Sequence, residues 1–167
     1  EFDNLVADPR LQSYVSEVGN KLAAVGHRPK LTYSFEVLHS TEVNAFALPG
    51  GKVFVTRRLL VRLSNEAQLS AGLGHEIGHV TAKHAVRSFS TAVALQVPLM
   101  AGAAYAQAEG HSEYLVALGA VSASLLTMKF SRSHESESDR LGIDYSEKAG
   151  YNPEGKVQLL TVVKESQ

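Results

Sequence analysis

The stretch LSAGLGHEIGHVTAKHA, residues 69–85, places three glycines, His75, His79 and a glutamate inside a pattern that predicts a single helix. Glycine in a helix interior costs about 1 kcal/mol relative to alanine, and histidine and glutamate are rarely buried without a partner. Such a helix indicates a close approach by another backbone or a substrate, or plain packing, at Gly72, Gly74 and Gly78. We predict that it begins after an N-cap at Ser64 and runs to about Val86.

His75 and His79 lie four residues apart, so both rings project from one helix face, about one turn from each other. Such a pair can bind one metal ion, and Glu76 can reach a water molecule on it. Zinc in this HExxH arrangement takes two neutral imidazoles and a carboxylate, and lowers the pKa of its water to about 7. The motif predicts a zinc site with Glu76 as catalytic base; the alternative is a helix with ordinary surface histidines.

A third histidine ligand is absent from the position where one class of zinc proteases has it. The pattern HExxHxxGxxH requires glycine and histidine where this chain has Ala82 and Ala85. His84 is one residue out of that register. We interpret His84 as a structural histidine or as a hydrogen-bond partner of a metal ligand.

The segment SRSHESESDR supplies carboxylates for the third position. Glu135 and Asp139 are four residues apart, so a helix presents them on one face, while Glu137 points elsewhere. We assign Glu135 to the metal and Asp139 to the N–H of a ligating histidine. Glu137 and His134 are rival ligands, and a solvated helix start is the further alternative.

Composition limits the other classes of function. The 167 residues are 44% hydrophobic and can bury one core, so we expect a single domain over residues 1–167, cut from a longer protein at both ends. The formal net charge of -1 argues against a nucleic-acid partner. There are no cysteines, so any metal must be held by histidine and carboxylate.

The fold class predicted from the periodicity is α+β, mainly helical, with a small sheet or hairpin beside the HExxH helix. Apolar residues at helical spacing predict a first helix from Asp8-Pro9 to Gly26. In LTYSFEVL every second residue is apolar, which predicts a strand, and NAFALPGGKVFVT predicts a hairpin. A last helix should end at Gly150 and Pro153.

An endopeptidase would bind its substrate extended, by pairing the substrate backbone with an exposed strand edge. The predicted strand of residues 52–56 would supply that edge. The apolar run before it begins with Asn44 and Ala45, which are two further candidate contacts. The candidate substrate-binding residues are Asn44, Ala45, Val53, Phe54 and Val55. The alternative is that these residues form ordinary hairpin structure.

Three motifs in this order resemble the HtpX-like, BepA-like and CaaX-prenyl-protease-like zinc metalloendopeptidases, family forty-eight of the metallopeptidases. They are NAFALPGGKVFVTRRLL, GHEIGHVTAKHA and SRSHESESDRLGIDYSEKAGYNP, and the resemblance covers about residues 31–153. It implies a zincin-like fold of gluzincin type with one Zn²⁺ at His75, His79 and Glu135, and Glu76 as the base. It leaves open which group stabilises the transition state, for which Arg132 is a candidate.

The resemblance also implies hydrolysis of protein or peptide substrates, with a location in the cell envelope or periplasm and a place in protein quality control there. In this mechanism Glu76 takes the proton of water and later protonates the leaving amine. Two other classes of function remain: a catalytically silent zinc-containing binding or chaperone module, and a structural metal domain. Glu76 disfavours both, because zinc binding alone does not require it.

Two apolar stretches follow the histidine motif, 21 uncharged residues at 88–108 and 15 at 114–128. Membrane-embedded members of the resembled family have spanning helices here, and 21 residues could cross a bilayer. The first stretch is rich in alanine and polar residues, however, and the second is shorter than the ~20 residues that a span requires. We predict two helices packed on the catalytic helix of a water-soluble domain, with association at a membrane surface left open.

Overall fold

The first helix begins and ends where the sequence predicts, with the Asp8 side chain accepting hydrogen bonds from the backbone N–H groups of Arg10 and Leu11. The computed structural model describes residues 5–92, 94 and 130–164. Its elements are α1 (Pro9–Val25), β1 (Ser34–Leu38), β2 (Ala45–Leu48), β3 (Lys52–Thr56), α2 (Arg57–Leu60), α3 (Glu66–Thr81), α4 (Arg132–Lys148) and α5 (Gly155–Lys164). Residues 84–92 are also helical.

Within the described ranges of the chain, three strands form one sheet in the order β1-β3-β2. β2 and β3 make the predicted antiparallel hairpin, and its turn contains Gly50 and Gly51, whose φ angles of 101° and 100° favour glycine. β1 pairs with β3 in parallel. The hairpin's second strand is therefore the central strand, and β2 lies at an edge.

One hydrophobic core joins the sheet to the helices. α1 and α3 pack against each other, α1 packs on β1, and α3 packs on β2 and β3. Apolar residues at the predicted helical and alternating spacings fill this core, among them Val15, Val18, Leu22, Phe35, Val37, Val53, Val55, Leu73 and Ile77. The arrangement confirms the predicted α+β class and places α3 against the sheet.

α3 makes its most extensive contact with α4. A Cβ atom added to Gly74 would lie 2.9 Å from the carbonyl oxygen of Gly142, and one added to Gly78 would lie 2.9 Å from that of Ser138. The glycines thus let the two backbones touch, as one of the sequence interpretations required. Gly72 differs, since the nearest neighbour of an added Cβ is the Leu159 side chain at 3.4 Å.

The HExxH helix differs from its prediction at both ends. Its N-cap is Asn65 rather than Ser64, because the Asn65 side chain accepts from the N–H of Gln68. It ends at Thr81 rather than near Val86, and Lys83 follows with a φ of 57°. A left-handed residue cannot continue an α-helix, so the chain turns before the helical residues 84–92 begin.

The helices later in the chain include one that the sequence did not predict. α5 was not expected from the sequence, and it packs on α3. The predicted apolar helix at 114–128 lies outside the described residues, as does most of the one at 88–108. Within the described part of the chain, no helix combines the length and apolar character needed to cross a membrane.

Candidate metal centre

The imidazoles of His75 and His79 converge with the carboxylate of Glu135. The two Nε2 atoms are 3.1 Å apart, and they lie 3.4 and 3.6 Å from the Glu135 oxygens. Among the described residues, these three form the one group of histidine and acidic side chains close enough to hold an ion, with their ligand atoms all within 4.8 Å. The structure therefore brings together the three predicted ligands, two from α3 and one from the first turn of α4.

Asp139 lies one turn after Glu135 and contacts the other nitrogen of His75, with Nδ1 and Oδ1 2.6 Å apart. The same carboxylate oxygen lies 2.5 Å from Nζ of Lys156, the second residue of α5. The His75 hydrogen bond, helped by the Lys156 ammonium, lowers the pKa of Asp139 to about 2. The sequence did not predict Lys156, which brings a positive charge to the site. Arg132, the candidate for a positively charged group there, is exposed at the start of α4.

His79 has a different partner. Its Nδ1 lies 2.9 Å from Nδ1 of His84, and Nε2 of His84 lies 3.1 Å from Oε2 of Glu137. On one continuous helix, His79 and His84 would point about 140° apart, so the break at Lys83 is what brings their rings together. Of the two rival ligands, Glu137 contacts His84 and the His134 ring stacks on the His84 ring, 4.3 Å between centroids.

Burial sets the protonation of the residues around the metal position. Desolvation, with the neighbouring histidines, lowers the pKa of His79 to about 3, so its ring is neutral, as a metal ligand must be. Desolvation also raises the pKa of Glu76 to about 7, with the Glu135 charge adding to the rise. The Ala47 N–H donates to the Glu76 carboxylate and acts in the opposite direction. A carboxyl group whose pKa lies near neutral pH can both accept and return a proton.

A cleft of about 270 Å³ opens beside these residues. Glu76, Glu135 and Lys156 lie on its polar side, and its apolar side includes Val43 and Leu160. Asn44 and Ala45, two of the predicted substrate contacts, also line it. The cleft therefore joins the proposed base and ligands to the start of β2.

The prediction that β3 offers an edge to a substrate is wrong. β3 is paired on both sides, and Val53, Phe54 and Val55 are buried between β1 and β2. β2 has the outer edge instead. Because the Thr56 N–H donates to the Asn44 carbonyl, the alternation of antiparallel pairing turns the backbone groups of Ala45 and Ala47 outward.

Comparison with known proteins identifies a family and several relatives. Peptidase family M48 matches residues 9–166. The beta-barrel assembly-enhancing protease of Escherichia coli is 29% identical over 161 residues, which are 93% of this chain and 33% of the relative. The mitochondrial metalloendopeptidase OMA1 of Schizosaccharomyces pombe is 33% identical over 141 residues, 84% of this chain and 40% of the relative.

The chain thus spans about a third of the length of the curated relatives it matches first. A metallopeptidase family implies a bound metal, for which the two imidazoles and the Glu135 carboxylate are a suitable donor set. The predicted resemblance and the predicted enzyme class, a metalloendopeptidase, are confirmed. The chain belongs to peptidase family M48.

Proposed function

We propose that this domain binds one Zn²⁺ through His75, His79 and Glu135 and cleaves internal peptide bonds of protein substrates. The observation that carries the proposal is the convergence of two imidazole Nε2 atoms and one carboxylate within 4.8 Å. Two histidines and a glutamate are the ligand set of thermolysin-like zinc peptidases, which leave a further position open. The pKa of His79 is lowered to about 3, which supports metal binding because the neutral ring need not lose a proton first.

Glu76 is the proposed catalytic base. Zinc, when bound, supplies Lewis-acid chemistry that lowers the pKa of a water molecule and polarises a carbonyl. Glu76 follows His75 directly on α3, and the Ala47 N–H orients its carboxylate toward the cleft. It accepts the proton of the attacking water and returns it to the leaving amine.

The substrate backbone is proposed to pair with the outer edge of β2. The outward N–H and carbonyl of Ala45 and the outward carbonyl of Ala47 are available for such pairing, whereas the Ala47 N–H donates to Glu76. Asn44 and Ala45 lie in the cleft with Glu76. The role of Val53, Phe54 and Val55 would be indirect, because β3 pairs with the inner edge of β2 and so holds that strand in place. Strand pairing recognises the backbone rather than one side chain, so it fits protein substrates in extended, unfolded segments.

The relative from Escherichia coli is named for enhancing beta-barrel assembly. By analogy we propose a location in the cell envelope or periplasm and a place in protein quality control there. Association with a membrane surface is part of the same proposal. Each of these is proposed by analogy with relatives of which this chain matches about a third of the length.

The test is the pair of wild-type protein and Glu76→Gln. Wild-type protein should contain about one zinc per chain by elemental analysis and should hydrolyse a denatured protein such as unfolded casein. Glu76→Gln should retain the zinc and lose at least 10²-fold of the hydrolysis, because the amide cannot accept the proton. Equal activity in that variant would contradict the assignment of the base.

Glu17→Gln is the matched control. Glu17 is exposed on α1 and pairs with Lys21 at 3.0 Å, so the same chemical change there should leave zinc content and hydrolysis unchanged. Zinc binding without hydrolysis in the wild type would favour a catalytically silent binding module. Absence of zinc would refute the proposed centre.

A further inference from the structure

The two ligating histidines reach acidic residues of α4 by different routes. His75 contacts Asp139 directly, whereas His79 contacts the His84 ring, which is fully buried. A contact of 2.9 Å between two Nδ1 atoms contains one hydrogen, since two would repel and none would leave two lone pairs facing each other. The position of that hydrogen therefore determines the tautomers of both rings.

Metal binding determines where the hydrogen lies. When Nε2 of His79 gives its lone pair to a metal, the hydrogen of that ring must be on Nδ1, and it donates to Nδ1 of His84. The hydrogen of His84 is then on Nε2. That atom lies 3.1 Å from Oε2 of Glu137, which accepts the bond.

The neighbours of this chain keep its members in place. The Phe130 ring stacks on the His79 ring with 4.2 Å between centroids, and the His134 ring stacks on the His84 ring. Arg87 Nη1 lies 3.7 Å from the same Glu137 oxygen that faces His84. Burial lowers the pKa of His84, and the hydrogen bond from His84 lowers the pKa of Glu137.

We propose that Glu137 is a positioning residue for the metal centre, acting through His84 to fix the tautomer and orientation of His79. The inference rests on the proposed metal ligation. Glu137 lies about 200° around α4 from both Glu135 and Asp139, so its carboxylate does not contact His79 directly. The His84 ring lies between them and joins the Glu137 carboxylate to His79. α4 thus supplies one ligand and a carboxylate for each ligating histidine.

The test measures zinc affinity of the whole chain by competition with a chromogenic chelator. Glu137→Ala removes the acceptor and should weaken zinc binding by about 10-fold to 100-fold, the usual cost of losing such a partner. Glu137→Gln keeps a carbonyl oxygen as acceptor and should recover most of that loss. Glu147→Ala, at an exposed position of the same helix, is the matched control and should bind zinc as the wild type does.

A double variant distinguishes action through His84 from any independent effect. His84→Phe keeps a ring in the buried position but has no nitrogen to relay the bond. Adding Glu137→Ala to it should cost no further zinc affinity. A further loss equal to that seen in the wild-type background would overturn the proposal, as would unchanged affinity in Glu137→Ala alone.

Nitrogen-15 NMR of histidine-labelled, zinc-loaded protein supplies a readout that a purely structural role would not move. The wild type should show hydrogen on Nδ1 of His79 and on Nε2 of His84, and Glu137→Ala should disturb the second assignment. The opposite tautomer of His84 in the wild type would overturn the proposal. If Glu137→Ala does not fold, the tautomers of the wild type and Glu137→Gln still decide. A wild type that binds no zinc refutes the proposed function instead.

Discussion

Replacing Gly142 with alanine should separate α3 from α4 and weaken the metal centre. The added Cβ would lie 2.7 Å from the His75 backbone nitrogen and 2.8 Å from the Gly74 carbonyl carbon. Ordinary contact begins at 3.4 Å, and both neighbours are backbone atoms, so the helices must part by about 0.7 Å. Metal–ligand distances tolerate only about 0.2 Å, and Glu135 lies on one helix while both histidines lie on the other.

We expect two measurable losses in Gly142→Ala. The free energy of unfolding of the metal-free protein should fall by up to about 2 kcal/mol, since overpacking costs about 1–3 kcal/mol and the helix propensity of alanine returns about 1 kcal/mol. Zinc affinity should fall by about tenfold or more. Urea unfolding in a chelator measures the first, and chelator competition measures the second.

Gly72→Ala is the matched control for this change. It alters the same residue type on α3, but the added Cβ meets only the tip of the Leu159 side chain at 3.4 Å. We expect it to stabilise the protein by up to about 1 kcal/mol and to leave zinc affinity unchanged. Wild-type stability and zinc affinity in Gly142→Ala would refute the reasoning, because the helix crossing would then be able to widen at no cost.

Two further predictions concern Lys156 and Lys83. The depressed pKa of Asp139, about 2, stabilises the metal-free protein above pH 4, and that contribution is lost as the pH falls toward 2. Lys156→Met removes one cause of the depression, so urea unfolding should show a smaller loss between pH 4 and pH 2 than in the wild type; parallel curves would contradict this. At Lys83, whose φ is 57°, glycine should raise the free energy of unfolding by up to about 1 kcal/mol and valine should lower it. Thermal melts of both variants check the sign, and equal melting temperatures would count against a strained turn.

The parts of the centre that follow helical spacing could be predicted from the sequence. His75 and His79 share a face of α3, and Glu135 and Asp139 share a face of α4, because residues four apart always do. The hairpin around Gly50 was predicted for a similar reason, since its turn residues have a local conformational requirement. Local rules sufficed where the determinant lies within a few residues.

The missed features depend on distant contacts or on weak local signals. Nothing near Lys83 predicts a left-handed residue, so the helix break that brings His84 to His79 was not expected. Strand order is set by the parallel pairing of β1 with β3, which a hairpin pattern does not contain. α5, and Lys156 with it, had a usable signal, because Leu159 and Val163 are four residues apart shortly after Pro153.

The separation of the ligands along the chain gives the metal a second consequence. Between His79 and Glu135 lie 55 residues, so an ion that joins the two side chains closes a long loop. A covalent cross-link over such a loop removes unfolded-state entropy worth about 4 kcal/mol, and a metal bound only in the folded state acts in the same direction. The ion proposed for hydrolysis would thereby also stabilise the folded protein, because it links the segment that contains His79 to the segment that contains Glu135.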